Sequence, residues 1–116
     1  EKLSHLIYAG SDFLLMPSRV EPCGLNQLYS LRYGTMPMVR SVGGLKDTVI
    51  DLGDDDGYGI RFEQPSIEDL CVSVDRALEL YGEPTKLNSL RRRMMKLDFS
   101  WSKSTQQYID LYYTLK

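Results

Sequence analysis

The chain has 116 residues, of which 42% are hydrophobic and 26% are charged, and these values suit one globular domain with a real core. Its net charge of −2 does not favour nucleic acid or another polyanion as a partner. The sequence has no apolar run of about 18 residues and no signal-peptide pattern, so we expect no membrane span.

The first part of the chain alternates between candidate helices and strands. The opening residues have helical character, and the apolar run "DFLLMP" (12–17) is typical of a parallel strand that is buried on both faces. A helix is predicted in "GLNQLYSLRYG" (24–34), with Gly34 as its C-terminal stop. The apolar positions of that helix with helical spacing are Leu25, Leu28, Tyr29 and Leu31. Residues 36–42 form a second candidate strand, followed by a short helix that starts at two glycines.

A third strand is predicted in "YGIRFE" (58–63), after a turn-rich loop at residues 51–59. The clearest helix follows, with Ser66 and Asp69 resembling a capping box. Its predicted core stripe has the spacing i, i+3, i+4, i+7 and consists of Ile67, Leu70, Cys71, Val74, Ala77, Leu78 and Tyr81. Two helices trail it, and the tyrosines of the last one, Tyr108 and Tyr112, are expected to pack in an amphipathic face.

This order of elements predicts an α/β layer fold. Strands that alternate with helices form a parallel sheet covered by helices, here a short sheet with trailing C-terminal helices. We assign residues 1–116 to a single structural unit. The chain starts without Met and in a helical pattern, which is what a piece of a longer protein would show.

Few residues could carry metal or nucleophilic chemistry. Cys23 and Cys71 lack CxxC spacing and His5 is the single histidine, so neither a zinc site nor a Ser/His/Asp or Cys/His set is supported. The acids at residues 54–56 lack the glutamate of an EF-hand, and we expect no metal and no cofactor. Without a disulfide framework, we expect a reducing compartment, the cytoplasm. The basic run at residues 91–96 is expected to be a solvated helix face.

The loop "PSRVEPCG" (17–24) is the strongest candidate for a ligand site. In a parallel α/β sheet, ligands bind outside the carboxyl ends of the strands, where this loop lies. The helix after it, predicted to begin near Gly24, offers N–H groups without partners to a phosphate. Glu21 could accept hydrogen bonds from a hydroxylated ligand such as a sugar phosphate or sugar nucleotide. The alternative is that Glu21 only stabilises the helix N-terminus.

The paired glycines Gly43 and Gly44 leave the same two options open. Their backbone could form a second anion cradle, or they could simply allow a tight turn.

A long segment resembles a known family. "PSRVEPCGLNQLYSLRYGTMPMVRSVGGLKDTV" (17–49) is similar to the donor-domain signature of bacterial glycogen synthases and plant starch synthases. These are retaining glucosyltransferases with two Rossmann-like domains, the GT-B architecture. "AGSDFLLMPSR" (9–19), "DFSW" (98–101) and "YYTLK" (112–116) extend the resemblance to nearly the whole chain. The resemblance implies that residues 1–116 are the C-terminal part of the donor-nucleotide-binding domain.

The resemblance assigns roles by position. Glu21 matches the glutamate that faces the donor glucose and is the implied catalytic residue. Pro22, Cys23 and Gly24 match the segment that binds donor glucose, with the backbone of the last two contacting its hydroxyls. Leu25 and Asn26 match the first helical turn, which meets the donor phosphates. The family often has Thr at the position of Asn26. Where related transferases carry a second Glu, this chain has Tyr29, as in the glycogen synthase branch.

The implied reaction of the full enzyme is transfer of glucose from ADP-glucose, or less favourably UDP-glucose, to the non-reducing end of an α-1,4-glucan with retention. The helix N-terminus would stabilise the leaving pyrophosphate, and Glu21 the positively charged sugar. Two rivals stay open: another retaining sugar-nucleotide transferase, of sucrose- or trehalose-synthase type, and a non-catalytic α/β module that binds phosphate or a partner.

The resemblance also implies missing parts. The acceptor domain and the basic residues that clamp the donor phosphates would precede Glu1, so we expect the isolated chain to be inactive. The strand at residues 12–17 would then be an exposed apolar edge, through which the isolated chain could self-associate.

Overall fold

The computed structural model of the chain describes residues 2–115, so the two ends of the predicted unit, Glu1 and Lys116, lie outside the described residues. The elements, in chain order, are α1 (Lys2–Gly10), β1 (Phe13–Met16), α2 (Asn26–Tyr33), β2 (Met36–Arg40), α3 (Gly43–Thr48), β3 (Ile60–Phe62), α4 (Ile67–Tyr81), α5 (Pro84–Met94) and α6 (Trp101–Thr114). The strands form one parallel sheet in the order β1-β2-β3. The predicted α/β class with a short parallel sheet and trailing helices is confirmed.

The central strand β2 has an apolar cluster on each face. Met36 and Met38 pack with Ile60 and with residues of α2, α4 and α5. Val39 points to the opposite face and packs with Leu45 and Val49, around α3. Side chains alternate between the faces of a strand, so β2 joins the two clusters and gives the molecule three layers.

The strand β1 lies at the edge of the described sheet. The continuous apolar run predicted a strand that is buried on both faces, and this prediction is wrong. Met16 is buried, but Leu15 is 43% exposed. Next to it, Phe13, Leu15, Met38 and α4 line an apolar groove of about 300 Å³.

The predicted core stripe of α4 is wrong for most of its members. The helix begins after the N-cap Ser66, whose side chain accepts a hydrogen bond from the Asp69 N–H, which is one half of the predicted capping box. The Asp69 carboxylate accepts instead from the N–H groups of Glu63 and Gln64. Ser73, Ala77 and Leu80 form its buried face instead. The exposed members of the predicted stripe are Ile67, Cys71, Val74, Leu78 and Tyr81. Of the predicted members only Ala77 is fully buried, because the buried face of the helix lies to one side of the apolar stripe.

The last helix, α6, also departs from the prediction. No described residue of α6 is buried, and Tyr108 and Tyr112 are exposed by 62% and 66%. The expected amphipathic packing of these tyrosines is therefore absent within residues 2–115.

The basic run at residues 91–96 is only partly a solvated face. Arg91 pairs with Asp12, and Arg93 donates a hydrogen bond to the Gly57 carbonyl. Met94, the residue after Arg93, is buried. Two of the arginines thus attach α5 to the sheet and to the loop at residues 51–59.

Asp51 is the main polar anchor of that loop. Its carboxylate accepts a two-pronged hydrogen bond from Arg76 at 2.6 and 3.0 Å, and it also accepts from the N–H groups of Gly53 and Arg61. Burial alone would raise the pKa of Asp51, but these donors outweigh it and the pKa lies below its ordinary value. The carboxylate therefore holds the loop, β3 and α4 together.

Candidate functional site

The candidate loop occupies the carboxyl edge of the sheet. It runs from the end of β1 at Met16 to the start of α2 at Asn26, and the two glycines follow the end of β2 in the same way. Because β1 and β2 are parallel, both connections emerge at the same edge. The sequence therefore placed the loop correctly.

The two connections touch through their backbones. A Cβ added to Gly43 would come within 1.9 Å of the Glu21 carbonyl oxygen, and one added to Gly44 within 2.2 Å of the Cys23 carbonyl oxygen. The N–H of Gly44 donates to the Glu21 carbonyl at 3.2 Å. Gly43 also has φ +47°. Two options were open for these glycines, an anion cradle and a tight turn. Their close packing and the positive φ of Gly43 favour the tight turn.

Arg40, the last residue of β2, holds the start of the loop. Its Nε donates to the Ser18 carbonyl at 2.8 Å and its Nη2 to the Arg19 carbonyl at 2.6 Å. Its Nη1 donates to the Glu63 carbonyl, beyond β3. One guanidinium thereby fixes the path of the loop relative to the sheet.

Gln27, in the first turn of α2, holds the end of the loop. Its side chain is fully buried, and Nε2 lies 3.1 Å from the Cys23 carbonyl oxygen and 3.0 Å from that of Gly24. Nε2 also lies 3.1 Å from Oγ1 of Thr48 on α3. The amide therefore connects the loop to both neighbouring helices.

Gly24 is required by this packing. It has φ +74°, and an added Cβ would come within 2.4 Å of Gln27 Oε1. Any other residue would be strained and would displace the buried amide.

The six residues predicted for the site form one continuous segment. Glu21 and Gly24 are half-buried, whereas Pro22, Cys23, Leu25 and Asn26 are exposed, the last with its Oδ1 accepting a hydrogen bond from the Tyr8 hydroxyl at 3.1 Å. Within residues 2–115, no protein group accepts from the N–H groups of Gly24, Leu25 and Asn26. The exposed segment thus has free N–H donors at the N-terminus of the helix α2, an arrangement that is suited to binding an anion.

The helix-capping alternative for Glu21 is not supported. The helix α2 begins at Asn26, two residues later than predicted, and its N-cap is Leu25. No side chain caps it, and its first turn has no acidic residue. The carboxylate of Glu21 therefore has no capping function.

Other chemistry has little support. In the described part of the chain, no three His, Cys, Asp or Glu residues are grouped to hold a metal ion. Asp54 and Asp56 each lie 3.6 Å from an arginine, Arg61 and Arg93. No helix within residues 2–115 is long and apolar enough to cross a bilayer.

Sequence reasoning missed three residues of the site, Arg40, Gln27 and Thr48. All are polar residues within or at the end of regular elements, where a polar side chain ordinarily indicates exposure. The only signal was spacing: Gln27 lies three and four residues after the two loop carbonyls that it binds.

The fold of this chain is that of a glycosyltransferase domain of the GT-B class. The catalytic domain of starch synthase IV from Arabidopsis thaliana, solved with ADP and acarbose bound, superimposes with a TM-score of 0.88 and 39% identity. The match covers 98% of this chain and 24% of that one. Sucrose-phosphate synthase from Thermosynechococcus elongatus gives a TM-score of 0.69 and 25% identity, over 95% of this chain and 27% of that one.

Within that class, the chain is similar in sequence to glycogen synthases. It is 58% identical over 112 residues to glycogen synthase of Flavobacterium johnsoniae and 56% identical over 113 residues to that of Myxococcus xanthus. Each match covers 97% of this chain, which spans about a quarter of the length of these relatives. No profile of a known protein family matches the chain. The resemblance inferred from residues 17–49 is confirmed.

Proposed function

We propose that the full-length protein containing this chain is a retaining glucosyltransferase that extends α-1,4-glucans at their non-reducing ends from ADP-glucose. The observation that carries the proposal is the exposed loop 21–26 at the carboxyl edge of the sheet, in a chain 58% identical to a glycogen synthase. ADP and acarbose, the molecules bound to the starch synthase relative, fit a nucleotide donor and a glucan-like acceptor.

The roles of the loop follow from its chemistry. The free N–H groups of Leu25 and Asn26 are donors that can stabilise the negative charge of a leaving diphosphate. The segment from Pro22 to Gly24 binds the donor glucose, and the backbone of Cys23 and Gly24 is the surface for its hydroxyls. Glu21 is the catalytic residue: its carboxylate favours the positively charged sugar in the transition state and orients it.

The loop supplies part of an active site, and we assign the rest to other segments of the full protein. Those segments provide the acceptor surface and the basic groups that clamp the donor phosphates. Proximity of donor and acceptor makes up a large part of a transferase's rate enhancement, so the isolated chain is expected to lack activity. We place the enzyme in the cytoplasm, consistent with two free cysteines among the described residues.

The experiment that tests this function measures incorporation of labelled glucose into glycogen by the full-length protein. ADP-glucose and UDP-glucose are compared as donors at equal concentration, and a small sugar or sugar phosphate replaces glycogen in a parallel reaction. We expect transfer to glycogen, best from ADP-glucose, with α-configured products by NMR. Transfer to the small acceptor alone would support the sucrose- or trehalose-type rival. Nucleotide or phosphate binding without any transfer would support the non-catalytic module.

A further inference from the structure

We infer that Gln27 is a positioning residue for the glucose donor: its buried amide turns the peptide groups of residues 23–25 so that their N–H donors face the ligand. This inference rests on the proposed function of the loop. Gln27 itself is buried and does not reach the surface on which the donor would bind.

The loop carbonyls beside Gln27 share one direction. The oxygens of Cys23 and Gly24 both lie within 3.1 Å of Gln27 Nε2, so both point inward, toward the buried amide. In a trans peptide the C=O and N–H groups point in opposite directions. The N–H groups of Gly24 and Leu25 must therefore point away from Gln27.

The N–H groups of Gly24 and Leu25 are free. No protein group within residues 2–115 accepts from them, and the loop around them is exposed or half-exposed. Inward carbonyls and outward N–H groups give the surface a positive electrostatic character. Without the amide, the carbonyls would lose their partners and the peptides would be free to turn.

The surroundings of the Gln27 side chain call for a hydrogen-bond donor. The loop offers Gln27 two carbonyl oxygens, and Thr48 Oγ1, which donates its own hydrogen to the Gly44 carbonyl at 2.6 Å, offers a third acceptor. Only a donor satisfies this environment, and an amide nitrogen has two hydrogens. Glutamate of the same shape would place an anion against carbonyl oxygens. The buried Oε1 has no protein partner in the described chain, so the donor side of the amide makes all its contacts.

The test uses steady-state kinetics of the full-length enzyme with ADP-glucose and glycogen. Gln27→Met keeps the buried volume but removes both donors. We expect the KM for ADP-glucose to rise about tenfold or more, because small errors in position weaken every contact to the donor. The KM for glycogen should stay within about twofold of the wild-type value. A merely structural role would lower the active fraction, and hence kcat, without raising the donor KM.

The matched control is Ser30→Ala. Ser30 is also fully buried on the same face of α2, and its hydroxyl donates within the helix to the Gln27 carbonyl, not to the loop. This variant loses a buried hydrogen bond of α2 while the Gln27 amide is kept. We expect its donor KM to match that of the wild type.

A second variant provides a readout if Gln27→Met does not fold. In Gln27→Glu, burial raises the pKa of the new carboxyl, which can donate one hydrogen bond only when protonated. Its activity relative to wild type should therefore rise as the pH falls from about 8 to about 6. If the activity of Gln27→Glu relative to wild type did not change with pH, or if Gln27→Met left the donor KM unchanged, the positioning role would be wrong. Either result would leave the proposed glucosyltransferase function intact. Wild-type enzyme that transfers no glucose from either nucleotide sugar would overturn both.

Discussion

The backbone of Glu21 is fixed, because its carbonyl oxygen accepts a hydrogen bond from the Gly44 N–H at 3.2 Å. Its carboxylate does not cap the helix α2. We predict that Glu21→Ala in the full-length enzyme lowers kcat about 100-fold or more, as loss of one preorganised electrostatic contact does. Affinity for the donor should change less, since the N–H donors remain. The measurement is glucose transfer together with calorimetric binding of ADP. Glu79→Ala, at an exposed position of α4, is the control. Activity within about threefold of wild type would make the catalytic assignment wrong.

Cys23 is exposed, and only its backbone is assigned to the donor. We predict that Cys23→Ser keeps most of the activity, whereas a bulky thiol reagent inactivates the wild-type enzyme and ADP-glucose slows this inactivation. Cys71 was predicted to be buried but is also exposed, so the labelling requires a Cys71→Ser background. Labelling at Cys23 that proceeds equally fast with saturating donor would place its thiol outside the donor site.

At the scale of elements, the ion pair between Asp51 and Arg76 attaches the loop between α3 and β3 to the helix α4. We predict that Asp51→Asn lowers the free energy of unfolding by about 1–2 kcal/mol at neutral pH, because bonds to a partly buried charge are lost. Asp54→Asn is the control, since its carboxylate is 57% exposed and lies 3.6 Å from Arg61; the expected change is below about 0.5 kcal/mol.

The same pair gives a pH dependence whose sign follows from the pKa. The folded pKa of Asp51 lies below its ordinary value of 3.8, so the stabilisation is present above about that pH. It is lost as the pH falls through the lower, folded value, because the protonated carboxyl no longer attracts Arg76. Urea unfolding of wild type and Asp51→Asn should therefore converge below pH 3.8. An equal difference at neutral and acid pH would contradict the assignment.

Element positions could be predicted well from the sequence, but buried faces could not. The apolar run at residues 12–17 and the stop at Gly34 depend on local rules, and the structure has both elements. In α4, periodicity identified which residues are apolar but not what packs on them. Ser73, Ala77 and Leu80 are buried, whereas Leu78 is 64% exposed.

The site shows the same division. Residues 21–26 could be located because loops after parallel strands lie at one edge and because the motif is distinctive. Gln27 could not, since one of its hydrogen bonds goes to Thr48, which is 21 residues away in the chain. Arg40 likewise binds carbonyls more than 20 residues distant. Long-range contacts of polar side chains leave no periodic signal in a sequence.

At the scale of the whole molecule, the described chain exposes much apolar surface. Leu15 on the edge strand borders a groove lined by Val74, Leu78 and Tyr81, and α6 has no buried residue. Large exposed patches and unpaired strand edges favour association. We predict that the isolated 116-residue chain transfers no glucose and has a mass above that of a monomer by light scattering.

The control for association is Leu15→Lys, because a lysine on an edge strand opposes pairing with another chain. It should shift the isolated chain toward the monomer. A monomeric wild-type chain would refute the role of the edge strand alone. Efficient glucose transfer by the isolated chain would refute the division of the active site between segments.

The backbone contact between residues 21–23 and the two glycines has a consequence for engineering. Neither connection can change its path alone, because Gly43 and Gly44 leave no space even for a methyl group beside the other chain segment. If only the loop 17–26 were exchanged for that of another transferase, its backbone would therefore not fit against Gly43 and Gly44. The two connections should therefore be exchanged as one unit. Arg40 belongs to that unit, because it binds the start of the first connection and directly precedes the second.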